Sequence, residues 1–149
     1  MWGNLAIAST IAITILFGAA AIDHFNDPLL WLVAASAMSL TTAREIIMDT
    51  NDQEGDYNRN TLPKVLGNEK ARKTVWILSV ASALLITLPF TLGYLPQNLV
   101  VFVLPAVLSS IAVKPFLKQG NDNEAGHILR VAMIFGLLGL ALCGMIINY

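Results

Sequence analysis

The chain has 149 residues, of which 56% are hydrophobic and only 13% are charged. Soluble domains carry about 25% charged residues, so this composition excludes an ordinary soluble or disordered chain. A net charge of −1 excludes a basic nucleic-acid-binding protein, and the single cysteine, Cys143, excludes a disulfide scaffold or a multi-cysteine metal site. The composition predicts an integral, all-α membrane protein.

Five apolar stretches predict five transmembrane helices in one helical domain over residues 1–149. The second stretch is short, but Thr41–Met48 can continue it as helix. Pro89 and Pro105 fall inside the third and fourth stretches, where each removes a backbone donor and predicts a kink. The predicted spans are about Leu5–Ile22, Pro28–Leu40, Thr74–Leu92, Leu95–Val113 and Ile128–Ile147.

Basic residues occur only in every second segment between the predicted spans. The turns at 23–27 and 93–98 contain no lysine or arginine, whereas all nine basic residues lie in 43–73 and 114–130. By the positive-inside rule these two segments face the cytoplasm, so five spans place the N-terminus inside and the C-terminus outside the cell membrane. The nine residues are Arg44, Arg59, Lys64, Lys70, Arg72, Lys73, Lys114, Lys118 and Arg130.

Four acidic residues follow the second stretch at helical spacing. Glu45, Asp49, Asp52 and Asp56 are separated by four, three and four residues. At about 100° per residue they fall within one stripe about 60° wide. The sequence therefore predicts a carboxylate ladder at the cytoplasmic end of this helix, within an Asp-rich loop at about 43–73.

Such a ladder is unfavourable unless a cation binds it. Two carboxylates about 6 Å apart repel by roughly 3 kcal/mol at an effective dielectric constant near 20. Mg²⁺ suits a few carboxylates and fills its remaining positions with water and phosphate oxygens. Arg44, Arg59 and Lys64 could then hold the rest of a diphosphate. The alternative is a solvated acidic loop.

Other residues predict structure rather than chemistry. Lys70, Arg72 and Lys73 are interpreted as topological anchors, and the stretch 121–124 as a solvated loop. Cys143 is predicted to be a small apolar core residue. Three glycines in the last stretch predict close helix packing: Gly136, Gly139 and Gly144.

The acidic pattern carries a resemblance to a known family. The sequence from Arg44 to Asp56, followed by Thr61-Leu62-Pro63, resembles the second aspartate-rich motif of the UbiA superfamily of intramembrane prenyltransferases, in particular the digeranylgeranylglyceryl phosphate synthase type. The segment 3–18 is similar to the helix that begins the second half of those enzymes, and residues 136–139 are similar to their last helix.

The resemblance implies the second half of a nine-helix bundle whose two aspartate-rich motifs bind a prenyl diphosphate through Mg²⁺. The prenyl group passes to a lipid-type acceptor such as geranylgeranylglyceryl phosphate. On this basis Asp49, Asp52 and Asp56 are the expected catalytic metal ligands. Arg44, Arg59 and Lys64 are expected to bind diphosphate, and Glu45 to orient Arg44.

The family's first motif, Asn-Asp-x-x-Asp-x-x-x-Asp, does not occur in this sequence. Three interpretations follow: one chain of a split enzyme whose partner supplies the N-terminal helices, a fragment of a longer protein, or an inactive subunit. The competing function is therefore a non-catalytic structural subunit of a membrane complex. A cation channel is a weaker alternative, because no apolar span has an acidic residue in its middle.

Overall fold

The structure is a computed structural model, and it describes residues 2–52 and 61–147. Within those ranges the regular elements are all helical, which confirms the predicted class. They are α1 (Trp2–Ala21), α2 (Pro28–Asn51), α3 (Leu62–Leu66), α4 (Asn68–Thr91), a 3₁₀ helix (Gln97–Phe102), α5 (Leu104–Ala112), α6 (Lys114–Gln119) and α7 (Asp122–Ile147).

Four helices of the described chain are long and apolar enough to cross a membrane: α1 over Gly3–Ala21, then α2, α4 and α7. The predicted fourth span, Leu95–Val113, is divided between the 3₁₀ helix and α5. Pro105 therefore lies in the first turn of α5, where no helical hydrogen bond is lost, and the prediction that it lies inside the fourth helix and kinks it is wrong. The count of five spans remains a prediction.

The helix ends differ from the apolar runs because charged residues can occupy terminal helical turns. α4 begins at Asn68 rather than Thr74, and α7 begins at Asp122 rather than Ile128. The start of α2 is fixed locally, since the side chain of Asp27 accepts a hydrogen bond of 2.9 Å from the Leu29 backbone N–H. This helix continues to Asn51, as the spacing of its acidic residues predicts.

α2 is the central helix and packs against α1, α4 and α7. One core cluster joins the C-terminal half of α2 to the N-terminal parts of α4 and α7, and it includes Ile47, Val75 and Leu129. A second cluster lies toward the other end of α4 and includes Phe90, Val103 and Cys143. The buried, apolar position predicted for Cys143 is confirmed.

Two of the three α7 glycines that were predicted to allow close packing do so. A Cβ added at Gly139 would collide with the carbonyl group of Phe102 in the 3₁₀ helix, and one added at Gly136 would lie 3.3 Å from Ile86 Cδ1. A Cβ at Gly144 would meet nothing within 4 Å, so the prediction for that glycine is wrong within this chain.

The interpretation of 121–124 as a solvated loop is also wrong. Asp122–Glu124 form the first turn of α7, and Asp122 is buried. Its carboxylate accepts hydrogen bonds from Arg72 Nε at 2.8 Å and from Arg72 Nη2 at 2.6 Å. Arg72 is therefore more than a topological anchor, because a buried carboxylate requires a charged partner and this guanidinium supplies it.

Candidate functional site

The candidate site lies in the last two turns of α2. Arg44 and Glu45 are partly buried, and Arg44 Nη1 donates a hydrogen bond of 2.7 Å to Glu45 Oε1. The structure therefore brings together the two residues that the resemblance pairs. Because Glu45 already holds one nitrogen of the guanidinium, Arg44 has a fixed position with further N–H donors available for an anion.

Asp49 is held by a residue that sequence reasoning missed. Asn4 is 5% exposed and donates a hydrogen bond of 2.6 Å from its Nδ2 to Asp49 Oδ2. This bond joins α1 to α2 and fixes one carboxylate oxygen, leaving Oδ1 available as a ligand. Asn4 lies 45 positions before Asp49, so no local spacing predicts the contact. The signal in the sequence is a polar amide in the first turn of a largely apolar helix.

Asp52 is the C-cap residue of α2 and is exposed. Its backbone N–H donates to Met48 O at 2.9 Å. The last turn of α2 contains no basic residue. Carboxylates at this end face the negative pole of the helix dipole, which destabilises each by about 0.3–1 kcal/mol, so the arrangement favours a bound cation.

The other predicted ligands are only partly described. Lys64 lies on α3 and is exposed, while Asp56 and Arg59 lie outside the described residues. Among residues 2–52 and 61–147, no group of three histidine, cysteine, aspartate or glutamate side chains could hold a metal ion. The described part of the ladder thus offers an incomplete set of metal ligands. Those ligands are carboxylate oxygens, which suit a hard divalent cation.

A cavity of about 430 Å³ lies between the two core clusters, and its walls come from α1, α2, α4, α5 and α7. On α2 it reaches Leu40, and the acidic ladder begins five residues later at Glu45. At 1.5 Å per helical residue, this separation is about 8 Å along the helix axis. The cavity and the carboxylates are therefore consecutive along one helix.

The hydroxyl groups around this cavity are already satisfied by the protein. Ser36 and Ser82 each donate to the other's carbonyl oxygen at 3.0 Å. Ser110 donates to Ala106 O at 2.9 Å, and Thr14 donates to a carbonyl of its own helix at 2.8 Å. The cavity consequently presents a hydrocarbon surface to an occupant, despite four hydroxyl side chains in its lining.

Two buried hydroxyls lack a hydrogen-bond partner in the described part of the chain. They belong to Thr41, which is 3% exposed, and Thr61, which is 2% exposed. Thr41 precedes Glu45 by four residues on α2, so it shares the helix stripe that carries the carboxylates.

The chain belongs to the UbiA prenyltransferase family, which matches residues 1–137. This confirms the resemblance drawn from the acidic motif.

Several curated relatives are named digeranylgeranylglyceryl phosphate synthase. The relative from Saccharolobus solfataricus is 32% identical over 152 residues, covering 95% of this chain and 51% of its own length. The relative from Methanopyrus kandleri is 29% identical over 140 residues, covering 91% of this chain and 51% of its own length. The chain thus spans about half the length of the curated relatives it matches. No solved structure gives a significant match.

Proposed function

We propose that this chain contributes half of the active site of a prenyltransferase that uses Mg²⁺. The enzyme transfers a prenyl group from a prenyl diphosphate to a lipid-type acceptor such as geranylgeranylglyceryl phosphate. The observation that carries the proposal is the succession of an apolar cavity and an acidic segment along α2, with Leu40 in the cavity wall and Glu45, Asp49 and Asp52 on the helical turns that follow it.

This arrangement matches the two chemical parts of a prenyl diphosphate. The cavity volume of about 430 Å³ falls within the range of ordinary ligand sites, and its hydrocarbon lining suits an isoprenoid chain. The carboxylates and Arg44 suit a metal-bound diphosphate, since Mg²⁺ combines a few carboxylate ligands with phosphate oxygens.

Asp49, Asp52 and Asp56 would hold Mg²⁺, which when bound neutralises charge on the diphosphate. In the reaction, the bond between prenyl C1 and the ester oxygen of the diphosphate breaks, and the diphosphate leaves with the electron pair. The acceptor hydroxyl oxygen forms the new bond to C1 and releases its proton to the diphosphate or to water. Arg44, Arg59 and Lys64 would stabilise the departing diphosphate, and Glu45 would hold Arg44 in position.

A second polypeptide segment completes the proposed site. The described ladder holds too few ligands for tight binding of Mg²⁺, and the chain spans about half the length of its relatives. We propose that the remaining helices, with the family's first aspartate-rich motif, come from a partner chain or from the rest of a longer protein. The five segments of this chain would then be the second half of a nine-helix bundle.

The proposed orientation places the acidic end of α2 in the cytoplasm. The C-terminal end of α2 and the N-terminal ends of α4 and α7 share one core cluster with α6, so the basic segments lie at one end of the molecule. Cysteines introduced at Asn26 and Asn68 test this orientation. An impermeant reagent should label Asn26→Cys in intact cells and leave Asn68→Cys unlabelled, and the reverse pattern would reverse the orientation.

Binding of geranylgeranyl diphosphate tests the function. We expect the chain, purified with its native membrane partners, to bind this ligand with Mg²⁺ and to lose it after chelation with EDTA. Asp52→Asn should weaken binding, because the amide keeps the shape of the side chain but loses its charge. Asp23→Asn is the matched control, since Asp23 lies in the turn after α1 and asparagine tolerates its positive φ of 60°. Binding that is unaffected by EDTA and by Asp52→Asn would favour the structural-subunit alternative.

A further inference from the structure

A second groove of about 430 Å³ lies between the N-terminal turns of α4 and helix α6. Four basic side chains line it together with one carboxylate, that of Glu69, and the aromatic ring of Trp76. The basic residues are Arg72, Lys73, Lys114 and Lys118. Neither the cavity nor the acidic end of α2 contributes a residue to this groove.

The charges of the groove do not cancel. Arg72 is neutralised by Asp122, which binds it through both carboxylate oxygens. Glu69 offsets one of the three lysines, so the groove retains a positive charge of two. In the described part of the chain, Lys73 and Lys118 form no ion pair. The groove can therefore accept an anion with up to two negative charges.

One lysine is oriented by an aromatic ring. The Lys114 Nζ lies 4.8 Å from the centroid of the Trp76 ring, which is a favourable cation–π geometry. This contact holds the ammonium group of α6 beside α4. The ion pair between Arg72 and Asp122 holds α4 against α7, so two polar contacts brace the groove before any ligand binds.

The groove opens away from the fully buried face of α4. Its α4 residues follow one helix stripe, whereas Ala71 and Val75 are fully buried in the core cluster. Because the groove occupies the first turns of a membrane-spanning helix and contains a tryptophan, it lies at the level of the lipid headgroups.

We propose that this groove binds the phosphate of an anionic membrane lipid. Phosphate is the anion that several lysines and an indole N–H can hold at this depth, and basic pockets between membrane helices bind acidic headgroups by the same chemistry. A lipid delivers that phosphate at the headgroup level with its acyl chains beside α4, whereas free phosphate must arrive from water. The site is independent of the prenyl-transfer proposal, because it shares no residue with that site.

Quenching of Trp76 fluorescence by brominated lipids tests the proposal. The full chain, with Trp2→Phe and Trp31→Phe so that Trp76 is the sole tryptophan, is reconstituted in phosphatidylcholine vesicles containing brominated phosphatidylglycerol or brominated phosphatidylcholine. We expect the affinity for phosphatidylglycerol to exceed that for phosphatidylcholine at least fivefold. A lysine near the membrane surface contributes about fivefold, so Lys73→Gln with Lys118→Gln should remove this preference and bring the ratio close to one.

The controls distinguish binding at a defined site from non-specific electrostatic attraction between the protein and anionic lipid. Lys70→Gln with Arg130→Gln removes the same number of charges from exposed positions outside the groove and should leave the ratio unchanged. Lys73→Arg with Lys118→Arg should also retain the preference for phosphatidylglycerol, because arginine keeps the positive charge. A ratio near one in the parent protein, or an equal loss in the control variant, would overturn the site. Displacement of phosphatidylglycerol by millimolar inorganic phosphate, at ionic strength matched with chloride, would overturn the assignment to lipid.

Discussion

The ion pair between Arg72 and Asp122 joins α4 to α7, and its removal should have a measurable effect on stability. The two hydrogen bonds measure 2.8 and 2.6 Å, and the side chains are 26% and 9% exposed. Breaking a fully buried pair costs about 3–5 kcal/mol. Because Arg72 retains some access to water, we expect Asp122→Asn to lower the free energy of unfolding by about 2 kcal/mol.

A double-mutant cycle with Arg72→Gln isolates the pair from the interaction of Asp122 with the α7 dipole. Unfolding in detergent, titrated with a denaturing surfactant, should give a coupling free energy of about 2 kcal/mol. Glu124→Gln is the matched control, because Glu124 lies in the same helical turn but is exposed. It should lose only the smaller dipole contribution. A coupling free energy below about 0.5 kcal/mol would refute the assigned role of the ion pair.

Three further substitutions, the first with a matched control, test other contacts of the described chain. Gly139→Ala should destabilise the protein by about 1–3 kcal/mol because its Cβ would meet the backbone of the 3₁₀ helix, whereas Gly144→Ala, in open space, should not. Thr41→Val should raise the free energy of unfolding by about 1 kcal/mol, because it removes a buried hydroxyl that has no hydrogen-bond partner in the described part of the chain. If Thr41→Val abolished prenyl transfer without this gain in stability, the hydroxyl would have a functional partner. Asn4→Ala should raise the Mg²⁺ concentration needed for half-maximal transfer about tenfold by releasing Asp49, and an unchanged Mg²⁺ dependence would contradict that role.

The sequence predicts the long helices because their signals are local. The apolar runs identify α1, α2, α4 and α7, and the spacing of Glu45, Asp49 and Asp52 predicts that α2 continues beyond its apolar part. The division of Leu95–Val113 into a 3₁₀ helix and α5 was not predicted. Lipid exposure requires apolar residues in either helix type, so hydropathy does not distinguish them.

The polar contacts between helices could not be predicted in the same way. Asn4 meets Asp49 across 45 positions, and Arg72 meets Asp122 across 50. Such pairs depend on how the helices pack, and the local periodicity of the sequence does not predict that packing. The acidic motif was recognisable, by contrast, because its residues lie within one short segment and match a family pattern.

Prenyl transfer by the reconstituted enzyme tests the central claim most directly. The chain is combined with a partner that carries the first aspartate-rich motif, and labelled geranylgeranyl diphosphate is supplied with geranylgeranylglyceryl phosphate and Mg²⁺. We expect little transfer by the isolated chain, substantial transfer by the pair, and none by the pair when either Asp52→Asn or Asp56→Asn is introduced. Arg44→Lys should reduce the rate less, since lysine keeps the charge but not the planar fork. Equal turnover with both aspartates neutralised would contradict a catalytic role for this acidic segment.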